Sequence, residues 1–250
     1  MFPILQIGPL AIQTPGLFLL LSIWVGLSLA GKRSEQHGIQ TEVLDNLVLA
    51  SLAGFIVGGR IMYVAGNLSA FLASPIDLIS LNYSLFDLGG GIAIAILTGL
   101  GFGQRKTLAF WPTLDTLTPF FAALMVGIGA AHLASGEAFG KETSLPWAIE
   151  LFGTTRHPSQ VFGIAAALFI LNSIGMRKPF EIPGKQFLFF VAFSAGAALF
   201  LEAFRGDSVL VAGGLRLGQI VAWIVMAVAL LGLEQLEKGS RSATPTYENG

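Results

Sequence analysis

Between Gly136 and Gln160 an otherwise apolar chain gathers Glu137, Lys141, Glu142, Glu150, Arg156 and His157. Glycine and proline punctuate this segment, which predicts a loop rather than a helix. Other chemistry-bearing residues stand in apolar surroundings: Arg60 and Tyr63 within Gly58-Gly59-Arg60-Ile61-Met62-Tyr63, His132 after Gly127-Ile128-Gly129, the pair Glu202 and Arg205, and Gln219. Arginine offers a fork of donors that matches phosphate oxygens. Histidine, with an ordinary pKa of about 6.5, takes or gives a proton near neutrality. Glu137 and Glu202 are placed to orient those cations. A polar loop held between apolar helices suits chemistry on a lipid or a membrane-bound peptide.

The bulk of the chain sets the surroundings of these groups. Of 250 residues, 54% are hydrophobic and 12% charged, and mean hydropathy is +0.73. A soluble domain carries about 25% charged residues, so this is the composition of an integral membrane protein. The net charge of −1 supplies no basic field for nucleic acid. Cysteine is absent, which removes disulfides, thiolate metal sites and a cysteine nucleophile. Three histidines without ligand spacing give no metal site.

Seven apolar segments, each near the ~20 residues a bilayer span needs, run roughly over 12–31, 44–66, 85–103, 114–134, 157–176, 186–204 and 215–234. The predicted fold is therefore all-α, with seven transmembrane helices. Lys32, Arg33, Arg105, Lys106, Arg177, Lys178, Lys185, Lys238 and Arg241 fall on one side, against Lys141, Arg156, Arg205 and Arg216 on the other. This bias predicts an outer N-terminus, an outer 136–160 loop and a cytoplasmic C-terminus. Lys32-Arg33 follow the first apolar run and no positive charge precedes it, so that run reads as a first span rather than a cleavable signal peptide. Residues 1–234 form one membrane domain with an outward polar cavity, and 235–250 a polar cytoplasmic tail with a frayed end.

Each residue also has a structural reading. An arginine inside a span costs about 2.5–3.5 kcal/mol on insertion scales, so Arg60 either snorkels to the outer interface or faces a wet cavity or anion. His132 is a packed histidine or a base. Glu202 and Arg205, three apart on a helix, are a self-neutralising pair or a working one. Gly89-Gly90-Gly91 at the third span and the small residues of the fourth allow close helix contact, or close approach of a lipid headgroup. Gln219 is placed to hydrogen-bond across helices. Topology puts Arg60, His132, Glu137, Arg156, His157, Glu202, Arg205 and Gln219 in the outer half, and so predicts an outward cavity that takes an anionic lipid headgroup.

These residues resemble the prolipoprotein diacylglyceryl transferase family over nearly the whole chain. Gly58-Gly59-Arg60-Ile61 with Tyr63-Val64 resembles its Gly-Gly-Arg-x-x-Tyr-Val signature. Asp115 and Pro119 resemble the start of its central span, and Gly136-Glu137, Gly140 and Leu145-Pro146-Trp147-Ala148 its outer loop. Arg156-His157-Pro158-Ser159-Gln160 matches its Arg-His-Pro-Ser-Gln run at every letter. Glu202, Phe204-Arg205 and Gly218-Gln219 resemble its ending. The sequence departs at Gln13-Thr14-Pro15-Gly16, where the family has His-Trp-Tyr-Gly, and at Phe162-Gly163, where it has Tyr-Glu. It also has Gly89 where the family has a histidine, Gly129 where it has an arginine, and His132 where it has an asparagine.

The resemblance implies a multi-pass enzyme of the bacterial plasma (inner) membrane. It would move a diacylglyceryl group from phosphatidylglycerol, or another anionic phospholipid, to the cysteine of a lipobox-containing prolipoprotein, without metal or cofactor. On that reading His132, Glu137 and Arg205 are catalytic, and Arg60, Tyr63, Arg156, His157, Gln160, Glu202 and Gln219 bind substrate. The alternative is a non-catalytic lipid-binding or partner-stabilising membrane protein on the same scaffold.

Overall fold

Helices form where the apolar runs lie. The structure, a computed structural model, describes residues 4–8, 10–73 and 86–243. The start of the third segment at residue 85 and the end of the tail from residue 244 lie outside these. Among the described residues the helices are α1 (Thr14–Ser34), α2 (Thr41–Gly66), α3 (Leu68–Ala73), α4 (Leu88–Arg105), α5 (Phe110–Ser135), α6 (Ser159–Ile170), α7 (Lys185–Leu201) and α8 (Leu217–Ala243). Five helical stretches among the described residues are long and apolar enough to cross a membrane: Thr14–His37, Thr41–Gly66, Phe110–Ser135, Lys185–Phe204 and Leu217–Ser242. The third and fifth apolar segments appear as the shorter α4 and as α6, which continues through a π-turn at Leu171–Gly175. The large exposed side chains are those lipid would cover, among them Trp24, Leu97, Val228 and Leu231, each more than 55% exposed. This apolar outside marks a multi-pass membrane protein.

Among the described residues the fold departs from a purely helical one at three short antiparallel ladders. They pair β1 (Ile4–Ile7) with β2 (Leu10–Gln13), β3 (Ile149–Leu151) with β4 (Thr154–Arg156), and β5 (Leu210–Val211) with β6 (Leu215–Arg216). The chain divides into two compact units, Met1–Ala30 with Leu114–Gly250, and Gly31–Thr113.

In the second unit α4 packs against α2 through glycines. A Cβ at Gly58 would strike Ile94, one at Gly90 would strike Met62, and one at Gly91 would lie 3.0 Å from the Phe55 carbonyl oxygen. Phe86 covers Gly59, whose carbonyl accepts from the Asp87 amide at 3.0 Å. The glycines at the third segment therefore serve close helix packing, with Asp87 capping α4 through the Gly90 amide.

In the first unit α5 is the inner helix. Gly26 of α1 meets Phe120, Gly127 meets Ser22, Gly129 meets Ile164 of α6, and Gly175 meets Pro119. As α1 and α6 advance their contacts on α5 retreat, so both run antiparallel to it. Ala122, Ile170, Ile174 and Phe190 form the buried core between α5, α6 and α7. The fourth span begins earlier than the sequence indicated: α5 starts at Phe110, so Pro119 lies inside the helix rather than in its first turns. Asp115, 2% exposed, accepts from the Gly184 amide at 2.6 Å and the Phe187 amide at 2.8 Å, satisfying the start of α7 from a neighbouring helix.

Candidate functional site

The candidate site is built on the first unit, where α5 ends. Gly136 takes φ 87° and returns its amide to the His132 carbonyl at 2.8 Å, a left-handed helix stop that glycine permits. The segment expected to be a plain loop is held by backbone pairing on two sides. The Lys141 amide donates to the Phe204 carbonyl and the Gly206 amide to the Phe139 carbonyl, both at 2.8 Å. On the other edge His157 donates to the Lys141 carbonyl at 2.9 Å and Thr143 to the Thr155 carbonyl at 3.0 Å. The strip 139–143 thus lies between β4 and the 204–206 segment. Phe152 and Gly153, both at positive φ, close the β3–β4 hairpin in the two-residue turn that suits strand twist. A side chain at Gly140 would run into the His157 carbonyl, and one at Gly206 would approach the Gly140 carbonyl oxygen to 2.7 Å. The close crossing of these strands requires both glycines.

Much of the Arg-His-Pro-Ser-Gln run frames this patch. The Arg156 guanidinium donates to Glu142 Oε1 at 3.0 Å, the Gly140 carbonyl at 3.3 Å and the Leu151 carbonyl at 3.4 Å, and lies 5.1 Å from the Phe139 ring centre. Ser159 Oγ donates to the Ala138 carbonyl at 2.6 Å, and Gln160 Nε2 to the Glu137 carbonyl at 3.0 Å. The start of α6 is thereby tied to the turn after α5. His157 sets its ring against Phe204, with centroids 5.3 Å apart. It lines an apolar groove of about 500 Å³ with Leu145, Trp147, Phe162 and Phe200.

The second arm comes from the α7–α8 connection. Glu202 is 9% exposed, and its carboxylate lies over the bare Cα of Gly218. The expected Glu202–Arg205 pair forms at 3.7 Å, but the closer partner of Arg205 is Asp207. Arg205 Nε and Nη2 each donate to an Asp207 oxygen at 2.9 Å. The bond to Asp207 holds the guanidinium above its ordinary pKa. Burial pushes the Asp207 carboxyl up, but the hydrogen bonds and charge of Arg205 outweigh it and set the carboxyl below its ordinary value. Arg216 Nη1 donates to the carbonyls of Glu202 at 2.5 Å and Arg205 at 2.9 Å and to Ser208 Oγ at 2.5 Å. Gln219 Nε2 donates across helices to the Leu199 carbonyl at 3.4 Å.

The first unit therefore carries His132, Glu137, Arg156, His157, Gln160, Glu202, Arg205 and Gln219 on the end of α5, the strapped segment, the α7–α8 connection and the starts of α6 and α8. His132, half-buried in the last turn of α5, lies within reach of the charges of Glu137, Arg205 and Asp207. The Glu137 carboxylate is exposed. Arg60 and Tyr63 belong to the second unit, on the last turns of α2, both partly exposed. Sequence reasoning missed the pairing of Asp207 with Arg205 and the hold of Arg216 on the Glu202 and Arg205 carbonyls. Pairing at helical spacing pointed from Arg205 to Glu202, but the chain turns extended at Arg205 (ψ 139°), where residues two apart share a side.

A family model described as prolipoprotein diacylglyceryl transferase matches residues 3–234. Among curated relatives, phosphatidylglycerol–prolipoprotein diacylglyceryl transferase of Aliivibrio salmonicida is 30% identical, over 99% of this chain and 92% of its own length. The proteins of that name from Prochlorococcus marinus and from a Nostoc species are each 28% identical, over 98% and 93% of this chain and 94% and 88% of theirs.

Proposed function

From the membership of this chain in the prolipoprotein diacylglyceryl transferase family, we propose that it transfers diacylglyceryl from phosphatidylglycerol to the cysteine of a lipobox-containing prolipoprotein at a bacterial inner membrane. The observation that carries this reading is the meeting of His132, Glu137, Glu202 and Arg205 at one polar end of a membrane-embedded unit. In the proposed reaction the acceptor sulfur attacks the glycerol carbon. A C–S bond forms, the C–O bond to phosphate breaks, and glycerol phosphate leaves with the electron pair. The thiol, with an ordinary pKa of about 8.5, gives its proton to His132. Arg205 holds the phosphate, and Glu137 orients His132. Arg156, His157, Gln160, Glu202 and Gln219 shape the substrate-binding surroundings of the first unit, Arg156 and Gln160 by fixing the strapped segment, and Arg60 and Tyr63 are the lipid-binding residues of the second unit.

The accompanying topology is seven spans with an outer N-terminus, a membrane domain over 1–234 and a cytoplasmic tail over 235–250. It is supported by the coincidence of α1, α2 and α4 to α8 with the seven apolar segments and by the bias of basic residues.

Gly129 favours a second reading, a lipid-binding or partner-stabilising protein on the same scaffold. A Cβ there would lie 2.8 Å from Ile164 Cγ1, so α6 closes the position that the family resemblance assigns to an arginine. Complementation of a transferase-depleted strain, with assay of the purified protein for diacylglyceryl transfer to a lipobox peptide, separates the two. Growth and transfer support the enzyme; folded protein with neither supports the second reading.

A further inference from the structure

Arg205 is held unlike Arg156. Arg156 engages all three of its nitrogens with Glu142 and two backbone carbonyls. Arg205 is gripped along one edge, Nε and Nη2, by the two oxygens of Asp207, and its Nη1 has no hydrogen-bond partner among the described residues. Its side chain is 36% exposed. Arg216 Nη1 donates to the carbonyls of Glu202 and Arg205 and so fixes the backbone that carries the guanidinium. A long arginine side chain loses much rotamer freedom when it binds a ligand, and a two-point grip removes that cost in advance.

We infer that Asp207 is a positioning residue: it holds one edge of Arg205 so that the Nη1 side stays available, in a fixed orientation, to a phosphate oxygen of the lipid donor. This rests on the transferase reading and adds to it a residue outside the motifs. The clamp sits at a crossing of three segments. Gly206, between the two partners, donates to the Phe139 carbonyl at 2.8 Å and leaves no room for a side chain against Gly140. The Ala138 amide, in the turn after α5, also favours the charged Asp207 carboxylate. The grip keeps both groups charged, as their opposite displacements from ordinary values indicate.

The sign of one substitution separates positioning from simple charge balance. Asp207→Asn removes a negative charge beside an anion site. If Asp207 merely neutralised Arg205, glycerol phosphate would bind more tightly to the variant. If it positions Arg205, binding weakens although the site has become more positive.

The experiment measures glycerol phosphate affinity of the full chain in phosphatidylglycerol-free nanodiscs, for the parent, Asp207→Asn and Asp207→Glu, with melting of each protein as the check on folding. The expected result is weakening by about tenfold or more in Asp207→Asn, the scale of one charge-assisted hydrogen bond, with partial recovery in Asp207→Glu. Asp207→Ser takes the place of Asp207→Asn should the latter not fold, with the same expectation. Equal or tighter binding by the charge-removing variant overturns the inference, as does a parent that does not bind glycerol phosphate. Transfer to a lipobox peptide is scored separately. A parent that transfers without binding glycerol phosphate sinks this inference alone, whereas one that binds without transferring sinks the transferase reading alone.

Discussion

The carboxylate of Glu202 rests on the backbone of Gly218, where an added Cβ would lie 2.7 Å from the carboxyl carbon. The obstacle is the far end of a flexible side chain, so Gly218→Ala displaces the carboxylate more readily than it disturbs the helices. Alanine in the first turns of α8 gains up to about 1 kcal/mol in helix propensity. The expected outcome is unchanged or higher melting temperature with kcat/KM for diacylglyceryl transfer reduced by about tenfold to a hundredfold. Transfer at the parent rate would show that the placement of Glu202 does not matter.

Two glycines stand where the family resemblance has polar residues, and the structure separates them. Among the described residues a Cβ at Gly89 meets only Asp87 Oδ1, at 3.6 Å, whereas one at Gly129 meets α6 at Ile164. Gly89→His is expected to fold with parental yield and elution. Gly129→Arg forces α6 away from α5, an overpacking cost of about 1–3 kcal/mol or more. Detergent-extracted yield and melting of the two variants check this; a Gly129→Arg protein as stable as the parent would contradict the packing argument.

The proposed reaction has His132 take the acceptor proton. His132→Asn keeps a hydrogen-bonding side chain and removes the base. Transfer is expected to fall by about a hundredfold or more, measured on purified protein with a lipobox peptide. Parental turnover in the variant would exclude His132 as the base.

Asp207 makes stability depend on acid in a known direction. Its folded pKa lies below the ordinary 3.8, because the hydrogen bonds and charge of Arg205 outweigh its burial. Its contribution is fully present above about 3.8 and is lost as pH falls through the lower folded value. Melting of parent and Asp207→Asn followed from pH 6 to pH 3 should therefore converge at the acid end. A gap that stays constant across the range would remove the titration of Asp207 as its cause.

The proposed seven-span topology would put a tag at Gly250 in the cytoplasm. Proteolysis of intact cells should spare that tag and cut it only after lysis. Cleavage from outside would reverse the proposed orientation.

The sequence by itself determined where the long helices lie and which segment holds the candidate site. Long apolar runs carry their own signal because a bilayer span must satisfy its backbone internally, and α1, α2, α7 and α8 begin within a few residues of the segments read from hydropathy. The Arg-His-Pro-Ser-Gln run was legible as a motif because its letters are contiguous. Tertiary structure decided what those letters touch. Arg156 and Gln160 strap the segment through backbone carbonyls that no side-chain pattern encodes. Whether Arg205 meets Glu202 or Asp207 depends on where the helical turn stops, a boundary set by pairing with Phe139 and Lys141 far away in the chain. Gly129 reads simply as a small residue in the sequence; only the approach of Ile164 makes its lack of a side chain necessary. Asp115 likewise reads as a polar residue at a span's edge, and becomes the cap of α7 because folding brings the Gly184 and Phe187 amides to it.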